Sequence, residues 1–472
     1  MSVQCLIFTD YEFNLISRPA GPYRIATELR HNGFTAQVLH FALRWSDEQL
    51  KAGLEKYVGD DTLFVGISTT FINPDKPWIM KISAMAKAIN PKIKIVVGGY
   101  HSIYQQNQLV DYFVMGLADY ATVELAKHLQ DPTHPIKKKP TLKGDDRWII
   151  DSNDYSVDIF DHPIEFSEND FIRRHEPLPI ETARGCIFKC SFCAYPLNGK
   201  KRNDYVRDFN SVHDEMLRNY EMFGTTNYIF ADDTINDSPD KIDGLHKAIT
   251  SLPFDIKFTG YLRLDVMYRH QEMATKLLEM GMESAFFGIE TLHPETARKI
   301  GKGGVNIRDA MYWVRDVWGD RVTTMGSFMV GLPSEPLTSV LDTVEWTRSD
   351  DYPLDTVSWS ALSVFSHQNA TIPKPYMSRM ELEPEKFGID ADVVQWISRD
   401  GILTLQSAKQ LVKNWNGESY DWPMAGLDYR SRLNIIIPGA DTIKLSPRQM
   451  EKMGYSKKAK AARSEYIQGV LS

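Results

Sequence analysis

Short apolar runs that alternate with helical stretches restrict what this chain can fold into more than any other feature of its sequence. Residues 63–68 read Leu-Phe-Val-Gly-Ile-Ser, and residues 93–99 read Ile-Lys-Ile-Val-Val-Gly-Gly. Near-continuous apolar runs of this kind are typical of parallel strands buried on both faces. The N-terminal region therefore predicts an α/β fold with a doubly wound, Rossmann-like parallel sheet. We expect strands at residues 3–8, 35–41, 63–68, 93–99 and 112–116, with helices at 22–32 and 77–89.

From residue 179 onward, a second series of strands and helices repeats with a period of roughly 30–40 residues. This period predicts a barrel-type fold, in which active-site residues lie at the carboxyl ends of the strands. Polar residues do gather where the apolar runs end. After a first strand that ends at residue 180, we expect strands at 227–230, 257–261, 284–289, 323–330 and 356–365.

The 472 residues are too many for one typical domain, and breaks in the pattern predict four regions. Residues 1–135 form the Rossmann-like domain and residues 179–380 form the barrel. The segment between them, 136–178, is rich in prolines, lysines and acidic residues, which is typical of a solvated linker. Residues 381–472 form a mixed, mainly helical C-terminal segment.

Three of the four cysteines fall within eight consecutive positions, in a Cys-x3-Cys-x2-Cys array of Cys186, Cys190 and Cys193. Thiolates are natural ligands of iron–sulfur clusters, and three of them on one loop can hold a cubane cluster and leave one iron open. No fourth thiol or nearby histidine pair completes the ligand set of a structural zinc site. Zinc binding and a chance arrangement stay open as alternatives. Cys5 lies in an apolar run and is predicted to be a small core residue.

This array resembles the signature of the radical S-adenosylmethionine (radical SAM) enzymes, and Phe192, directly before the third cysteine, also fits that pattern. The resemblance implies a [4Fe–4S] cluster on the three cysteines, with S-adenosylmethionine on the fourth iron. It also implies a partial (β/α)6 TIM-type barrel and reductive cleavage of the sulfonium to methionine and a 5′-deoxyadenosyl radical. In that family the C-terminal region commonly closes the barrel, so residues 381–472 are expected to cap the substrate.

The same resemblance implies S-adenosylmethionine contacts at the ends of the barrel strands. Glu290 would hold the ribose hydroxyls, because a carboxylate accepts two hydrogen bonds. Asp232 and Asp233 would lie near the methionine amino group. The planar fork of Arg263 suits the methionine carboxylate. Helix caps, salt bridges and solvated loop ends are the structural alternatives for each of these residues.

A further segment follows the fifth barrel strand. Its sequence, Gly331-Leu-Pro333-Ser334-Glu335, resembles the family's Gly-Leu-Pro-Gly-Glu segment beside the adenine, and Ser334 departs from that pattern. The resemblance therefore implies cofactor contacts for Gly331 and Pro333.

The N-terminal region resembles the cobalamin-binding domain that precedes many radical SAM domains. The resemblance rests on Gly66 and Ser68 at the carboxyl end of one predicted strand and on Gly98 and Gly99 at the end of the next, and it implies that these four residues bind cobalamin. Turn geometry alone is the alternative explanation of such glycines. The Asp-x-His-x-x-Gly motif that supplies a cobalt ligand in many such domains does not occur in this chain, and His101 is predicted to be a loop residue.

Together, these resemblances imply an enzyme that methylates an unactivated carbon through methylcobalamin. A radical SAM enzyme without functional cobalamin, catalysing a rearrangement, an oxidation or a sulfur insertion, is the first alternative. A non-catalytic iron–sulfur protein is the second. The expected partners are a small-molecule or peptide substrate and a reducing protein such as flavodoxin or ferredoxin.

Charge and hydropathy limit the other partners. The net charge of −8 argues against nucleic acid as a partner. No apolar run is long enough for a signal peptide or a spanning helix, so we expect no membrane association and a cytoplasmic location, where thiols stay reduced. Arg184 and the loop at 200–202 flank the cysteine array; they are either solvated or supply positive charge to the site.

Overall fold

The computed structural model describes residues 2–10, 18–69, 76–99, 108–141, 146–155, 159–195, 197, 199–201, 204–364, 377–391, 396–398, 402–418 and 445–472. The chain forms two compact units. Unit 1 comprises Met1–Asp158, His162–Arg174 and Ser456–Ser472, and unit 2 comprises Ile159–Asp161 and His175–Tyr455. Among the described residues, no helix has both the length and the apolar character that crossing a membrane requires.

Unit 1 contains the predicted Rossmann-like sheet. Its strand order is β2-β1-β3-β4-β5-β7-β6, and every pair except β6–β7 is parallel. The order reverses between β1 and β3, and ligands of doubly wound sheets bind beside such a switch point. Helix α1 packs against α4, and α2 against α3. The elements are β1 (Cys5–Phe8), α1 (Ala20–His31), β2 (Ala36–Leu39), α2 (Asp47–Tyr57), β3 (Phe64–Ser68), α3 (Lys76–Ile89), β4 (Lys94–Gly98), β5 (Tyr112–Met115), α4 (Asp119–Gln130), β6 (Lys139–Pro140) and β7 (Trp148–Asp151).

Three stretches outside residues 1–135 also belong to unit 1: residues 136–158, His162–Arg174 and Ser456–Ser472. Strands β6 and β7 come from the stretch predicted to be a solvated linker, and β7 pairs in parallel with β5. The C-terminal helix is the last of these stretches. Its Tyr466 hydroxyl accepts a hydrogen bond from the main-chain amide of His40 at 3.0 Å, and its ring meets that of Phe41 edge-on.

Unit 2 is built on six parallel strands that follow one another in sequence order, from β8 to β13. This arrangement confirms the predicted partial barrel. Its elements up to the last strand are β8 (Leu178–Ile180), α5 (Phe209–Phe223), β9 (Asn227–Phe230), α6 (Pro239–Thr250), β10 (Lys257–Leu262), α7 (Leu264–Arg269), α8 (Glu272–Glu279), β11 (Met282–Glu290), α9 (Pro294–Ile300), α10 (Ile307–Trp318), β12 (Thr323–Val330), α11 (Leu337–Thr347) and β13 (Thr356–Ala361).

The C-terminal part of unit 2 covers the open edge of this sheet at β13. The Asn416 side chain accepts a hydrogen bond from the Trp359 amide at 2.9 Å and donates one to the Trp359 carbonyl at 2.8 Å. An exposed strand edge can pair with strands of other chains. The contact with Asn416 satisfies the main-chain amide and carbonyl of Trp359 at this edge. Residues 419–444 lie outside the described residues. The elements here are α12 (Arg379–Leu382), β14 (Ile389–Ala391), β15 (Trp396–Ser398), α13 (Leu405–Glu418), α14 (Pro447–Lys452) and α15 (Tyr455–Leu471), the last of which continues into unit 1.

Candidate active site on the cysteine loop

The three clustered cysteines lie on a loop that follows β8 and closes on itself through main-chain hydrogen bonds. The amides of Gly199 and Lys200 donate to the Cys186 carbonyl at 2.8 and 3.3 Å, and the Cys193 amide donates to the Cys190 carbonyl at 3.1 Å. These main-chain hydrogen bonds close the loop around the three cysteines.

The entry to this loop requires a glycine. Gly185 has a φ of +70°, and a Cβ at this position would lie 2.5 Å from the Cβ of Leu197. Positive φ is unfavourable for L-residues with a side chain, and the steric overlap adds to that cost. Gly185 therefore allows the chain to turn from β8 into the first cysteine.

The thiols differ in their surroundings. Cys186 is buried, whereas Cys190 and Cys193 are partly exposed. The Cys186 thiol donates to the hydroxyl of Thr234 at 3.5 Å, and burial raises its pKa. Cys5 is fully buried in β1, as predicted for a core residue, and burial raises its pKa well above the ordinary range.

Arg263 provides positive charge directly at the loop. Its Nη1 donates to the Cys190 sulfur at 3.6 Å, and its guanidinium lies 3.8 Å from the centre of the Phe188 ring. Asp265 holds the other edge of the guanidinium through hydrogen bonds of 2.9 and 2.7 Å. A cation held in this way stabilises a thiolate over a thiol.

The paired carboxylates after β9 have unequal surroundings, although the sequence gives them the same candidate role. Asp232 is buried and accepts hydrogen bonds from the amide and the hydroxyl of Thr182, and it forms an ion pair with Lys241 at 2.8 Å. Asp233 is partly exposed and accepts a hydrogen bond from the Gly185 amide. Burial, with the negative charge of Asp232 second, raises the pKa of Asp233 to about 6. Asp233 is therefore the carboxylate with capacity left for a ligand.

Glu290 stands at the end of β11, where the pairing with β12 shifts by one residue. Its φ is +70°, which is unusual for a residue with a side chain and is found where structure re-aims a functional group. Lys302 forms an ion pair with Glu290 at 3.1 Å and donates to the carbonyl of Gly288. The sequence analysis missed Lys302, although its position in a Gly-Lys-Gly-Gly segment offered a signal.

The segment after β12 is fixed by its own glycine. Gly331 has a φ of +96°, and a Cβ there would lie 2.3 Å from the Trp396 ring. Pro333 is buried, and its carbonyl accepts a hydrogen bond from the hydroxyl of Thr296 at 3.4 Å. Phe192 is partly exposed on the cysteine loop. The structure therefore places these three predicted residues within unit 2, on its cysteine loop and at a strand end.

Glu335 closes the same segment with a buried carboxyl group. The Thr291 hydroxyl donates to its Oε1, while its Oε2 is buried without a hydrogen-bond partner among the described residues. Burial raises the pKa of Glu335 to about 7, and the bond from Thr291 opposes this shift.

A second group of charges adjoins the cysteine loop, and of its members only Lys200 was among the residues singled out from the sequence. The Lys200 side chain is 2% exposed, and its Nζ lies 3.9 Å from Oδ2 of Asp237. Neither atom has a hydrogen-bond partner among the residues that the structure describes. Asp237 also lies 3.9 Å from Lys241. The expectation of a solvated loop is therefore wrong for Lys200.

The expectation of a solvated side chain is also wrong for Arg184. It is buried and forms an ion pair with Glu181 at 2.7 Å. Lys201 is exposed, and residue 202 lies outside the described residues. A short basic run cannot reveal which of its members turns inward, since that depends on contacts elsewhere in the fold.

The four residues expected to bind cobalamin all lie in unit 1. Ser68 and Gly98 are neighbours across the β3–β4 pair, at the carboxyl ends of both strands. Gly99 follows with a φ of +137°. Gly66 lies in the middle of β3 instead of at its end. His101 falls outside the described residues.

The donor set fits a cluster better than a single ion. Among the described residues, no three His, Cys, Asp or Glu side chains are grouped as a single metal ion requires. A cubane cluster spreads its thiolates over separate corners, so cysteines on one loop need not converge on a point. Cys186, Cys190 and Cys193, with Arg263 beside them, match that chemistry.

Comparisons with known proteins agree with this interpretation. Residues 180–347 match the model of the radical SAM superfamily. An uncharacterized methyltransferase from Pyrococcus horikoshii is 23% identical over 290 residues, which cover 57% of this chain and 61% of that protein. The bacteriochlorophyllide d C-12(1)-methyltransferase of Chlorobaculum tepidum is 24% identical over 160 residues, covering 34% of each chain. Both matches thus span less than two thirds of the relative.

Two solved structures share the fold. The methyltransferase TsrM from Kitasatospora setae, solved with a tryptophan substrate and an analogue of S-adenosylmethionine, has a TM-score of 0.63 and 19% identity, covering 81% of this chain and 76% of its own. The cobalamin-dependent enzyme OxsB, solved with aqua-cobalamin and S-adenosylmethionine, has a TM-score of 0.59 and 13% identity, covering 99% of this chain and 72% of its own.

Proposed function

We propose that this protein, whose residues 180–347 match the radical SAM superfamily model, is a cobalamin-dependent radical SAM methyltransferase that acts on an unactivated carbon. The observation that carries the proposal is the hydrogen-bonded loop with three cysteines, one of which lies 3.6 Å from the guanidinium of Arg263. When bound, a [4Fe–4S] cluster supplies the electron that cleaves S-adenosylmethionine, and cobalamin supplies the methyl group.

We assign the cluster to Cys186, Cys190 and Cys193. Arg263 would offset part of the negative charge of a cluster held there. The hydrogen bonds that close the loop would position its three thiol groups.

Residues at the strand ends would hold S-adenosylmethionine. Asp233, with free acceptor capacity, would accept hydrogen bonds from the methionine amino group, while Asp232 positions the start of the loop through Thr182. Glu290 would accept hydrogen bonds from the ribose hydroxyls, and Lys302 pairs with it at 3.1 Å. The segment that carries Gly331 and Pro333 would lie beside the adenine.

We assign cobalamin to unit 1, with Ser68, Gly98 and Gly99 near the corrin and Gly66 behind them in β3. In support, their strand ends are adjacent, and both OxsB and TsrM have been solved with cobalamin. The substrate is a small molecule or a peptide, and a reducing protein supplies electrons. We place the protein in the cytoplasm, where thiol ligands stay reduced.

An anaerobic assay tests the radical SAM step. After reconstitution with iron and sulfide, the protein is incubated with S-adenosylmethionine and dithionite, and 5′-deoxyadenosine is quantified by chromatography. We expect it from the wild type and from Cys5→Ala, and none from Cys190→Ala. A fully loaded wild-type cluster that releases no 5′-deoxyadenosine would instead favour the non-catalytic iron–sulfur protein.

The cobalamin step has a separate test. The protein is loaded with hydroxocobalamin, desalted, and examined by visible spectroscopy for a retained corrinoid. If no corrinoid is retained, the methyltransferase proposal is wrong and a radical SAM enzyme without cobalamin is favoured. The missing Asp-x-His-x-x-Gly motif supports that second candidate.

A further inference from the structure

Exposed positive charge surrounds the part of the cysteine loop that carries Cys190. The segment after α9 lies directly against this loop, because the amide of Ser191 donates to the carbonyl of Ile300 at 3.1 Å. A Cβ on Gly301 would lie 3.6 Å from the Cα of Cys190 and from the preceding carbonyl oxygen. Four exposed cations lie on the cysteine loop, in the last turn of α9 and at the neighbouring end of α7, and we call them the basic rim: Lys189, Arg269, Arg298 and Lys299.

Two members of the rim flank the same glycine. Arg269 donates from its Nη2 to the carbonyl of Gly303 at 3.5 Å, and a Cβ on Gly303 would lie 2.6 Å from Cγ of Arg298. Arg269 also lines a cavity of about 220 Å³ together with Ile187 and Phe188 of the cysteine loop. The rim is therefore a continuous surface that reaches the loop itself.

The four cations of the rim form no ion pairs with the described part of the chain. Among the described residues, no carboxylate lies within 4.0 Å of any of its four cations. Lys299 donates only to the hydroxyl of Ser334, at 2.7 Å. The chain as a whole has 62 acidic against 54 basic residues, so a patch of unpaired cations stands out against the remaining surface.

We propose that the basic rim is the docking surface for a small acidic electron-transfer protein of the flavodoxin or ferredoxin class. The proposal rests on the function proposed above. One electron leaves the reduced cofactor of the donor, which is oxidised, and enters the cluster, which is reduced; no bond is formed or broken. Complementary charge around the loop steers the donor to the cysteines, and such steering raises association rates by about 10- to 1,000-fold.

A charge-reversal experiment tests this surface on the anaerobic, cluster-loaded full chain. Bacterial flavodoxin, reduced beforehand, is mixed with the protein, and cluster reduction is followed by stopped-flow absorbance and confirmed by electron paramagnetic resonance. We expect K189E/R269E/R298E to lower the second-order rate constant at low ionic strength about tenfold or more. Added salt should slow the wild type and leave the variant almost unchanged.

The matched control is K457E/K458E/K460E, which makes the same change in net charge with exposed lysines of α15. It should keep at least half of the wild-type rate constant. Equal slowing by both triple variants, or no slowing by the rim variant, overturns the proposal.

Dithionite separates this inference from the function on which it rests. It is a small reductant that needs no docking surface, so it should reduce the cluster of all variants equally. A wild-type cluster that dithionite reduces without cleavage of S-adenosylmethionine contradicts the proposed function, whatever the rim does.

Two further measurements complete the test: one on a charge-neutralising variant and one on RNA binding. If the charge reversals lose the cluster, K189Q/R269Q/R298Q takes their place and should lower the rate constant at least threefold; an unchanged rate overturns the proposal. A single-stranded RNA oligonucleotide is titrated in parallel. Rim-dependent binding of RNA with unaltered reduction by flavodoxin also overturns it.

Discussion

Glu335 makes unit 2 sensitive to pH in a way that one substitution can reveal. Its carboxyl group is buried, and Oε2 has no hydrogen-bond partner among the described residues. Burial raises its pKa from 4.5 to about 7. Since each pKa unit corresponds to 1.36 kcal/mol, the ionised carboxylate destabilises the folded state by at most ~3 kcal/mol.

The sign follows from the two pKa values. Below pH 4.5 the carboxyl group is protonated in both states and costs nothing. As the pH rises through the window between 4.5 and about 7, the unfolded chain releases its proton first, so stability falls. Above that window the full cost is present. Glu335→Gln removes the charge, keeps an acceptor for Thr291, and should therefore be more stable than the wild type only at the higher pH.

Thermal unfolding of the anaerobic protein between pH 5 and 8.5, followed by tryptophan fluorescence, measures this difference. We expect Glu335→Gln to raise Tm by several degrees at pH 8 and by much less at pH 5. Glu221→Gln, which neutralises an exposed carboxylate of the same unit, should change Tm little at either pH. A gain from Glu335→Gln that is the same at all pH values, or a loss at pH 8, would refute the reasoning.

Three further predictions concern the cluster and the fold. Cys190→Ala should abolish the [4Fe–4S] signal in electron paramagnetic resonance, whereas Cys5→Ala should keep it; a retained signal in the first variant contradicts the ligand assignment. Lys200→Met removes a buried positive charge from the cysteine loop, so the cluster's midpoint potential should become more negative by roughly tens of millivolts, while Lys201→Met, on the exposed neighbour, should leave it unchanged. Equal shifts in a redox titration would contradict this. Gly331→Ala should lower the free energy of unfolding by ~1–2 kcal/mol or more, because its φ is positive and an indole ring fills the space of a Cβ; an unchanged denaturation midpoint would contradict it.

The sequence by itself determined the parallel sheets and the place of the cysteine array. Apolar runs such as 63–68 and 323–330 became β3 and β12 nearly residue for residue. These features are local: a run of apolar residues must be buried wherever it goes, and three cysteines within eight positions stay together in any fold.

Only the tertiary structure decided which of the charged side chains around that array are buried or paired and which are exposed. It buried Lys200 while leaving Lys201 exposed, and it engaged Asp232 fully while leaving Asp233 open. It also brought Lys302 to Glu290. Neighbouring residues can point to opposite sides of the chain, and the partners of an ion pair can lie on different segments. Their burial and hydrogen bonds are therefore set only when the segments pack together. Residue identity sets which charges exist, and packing sets which of them are free to bind a ligand.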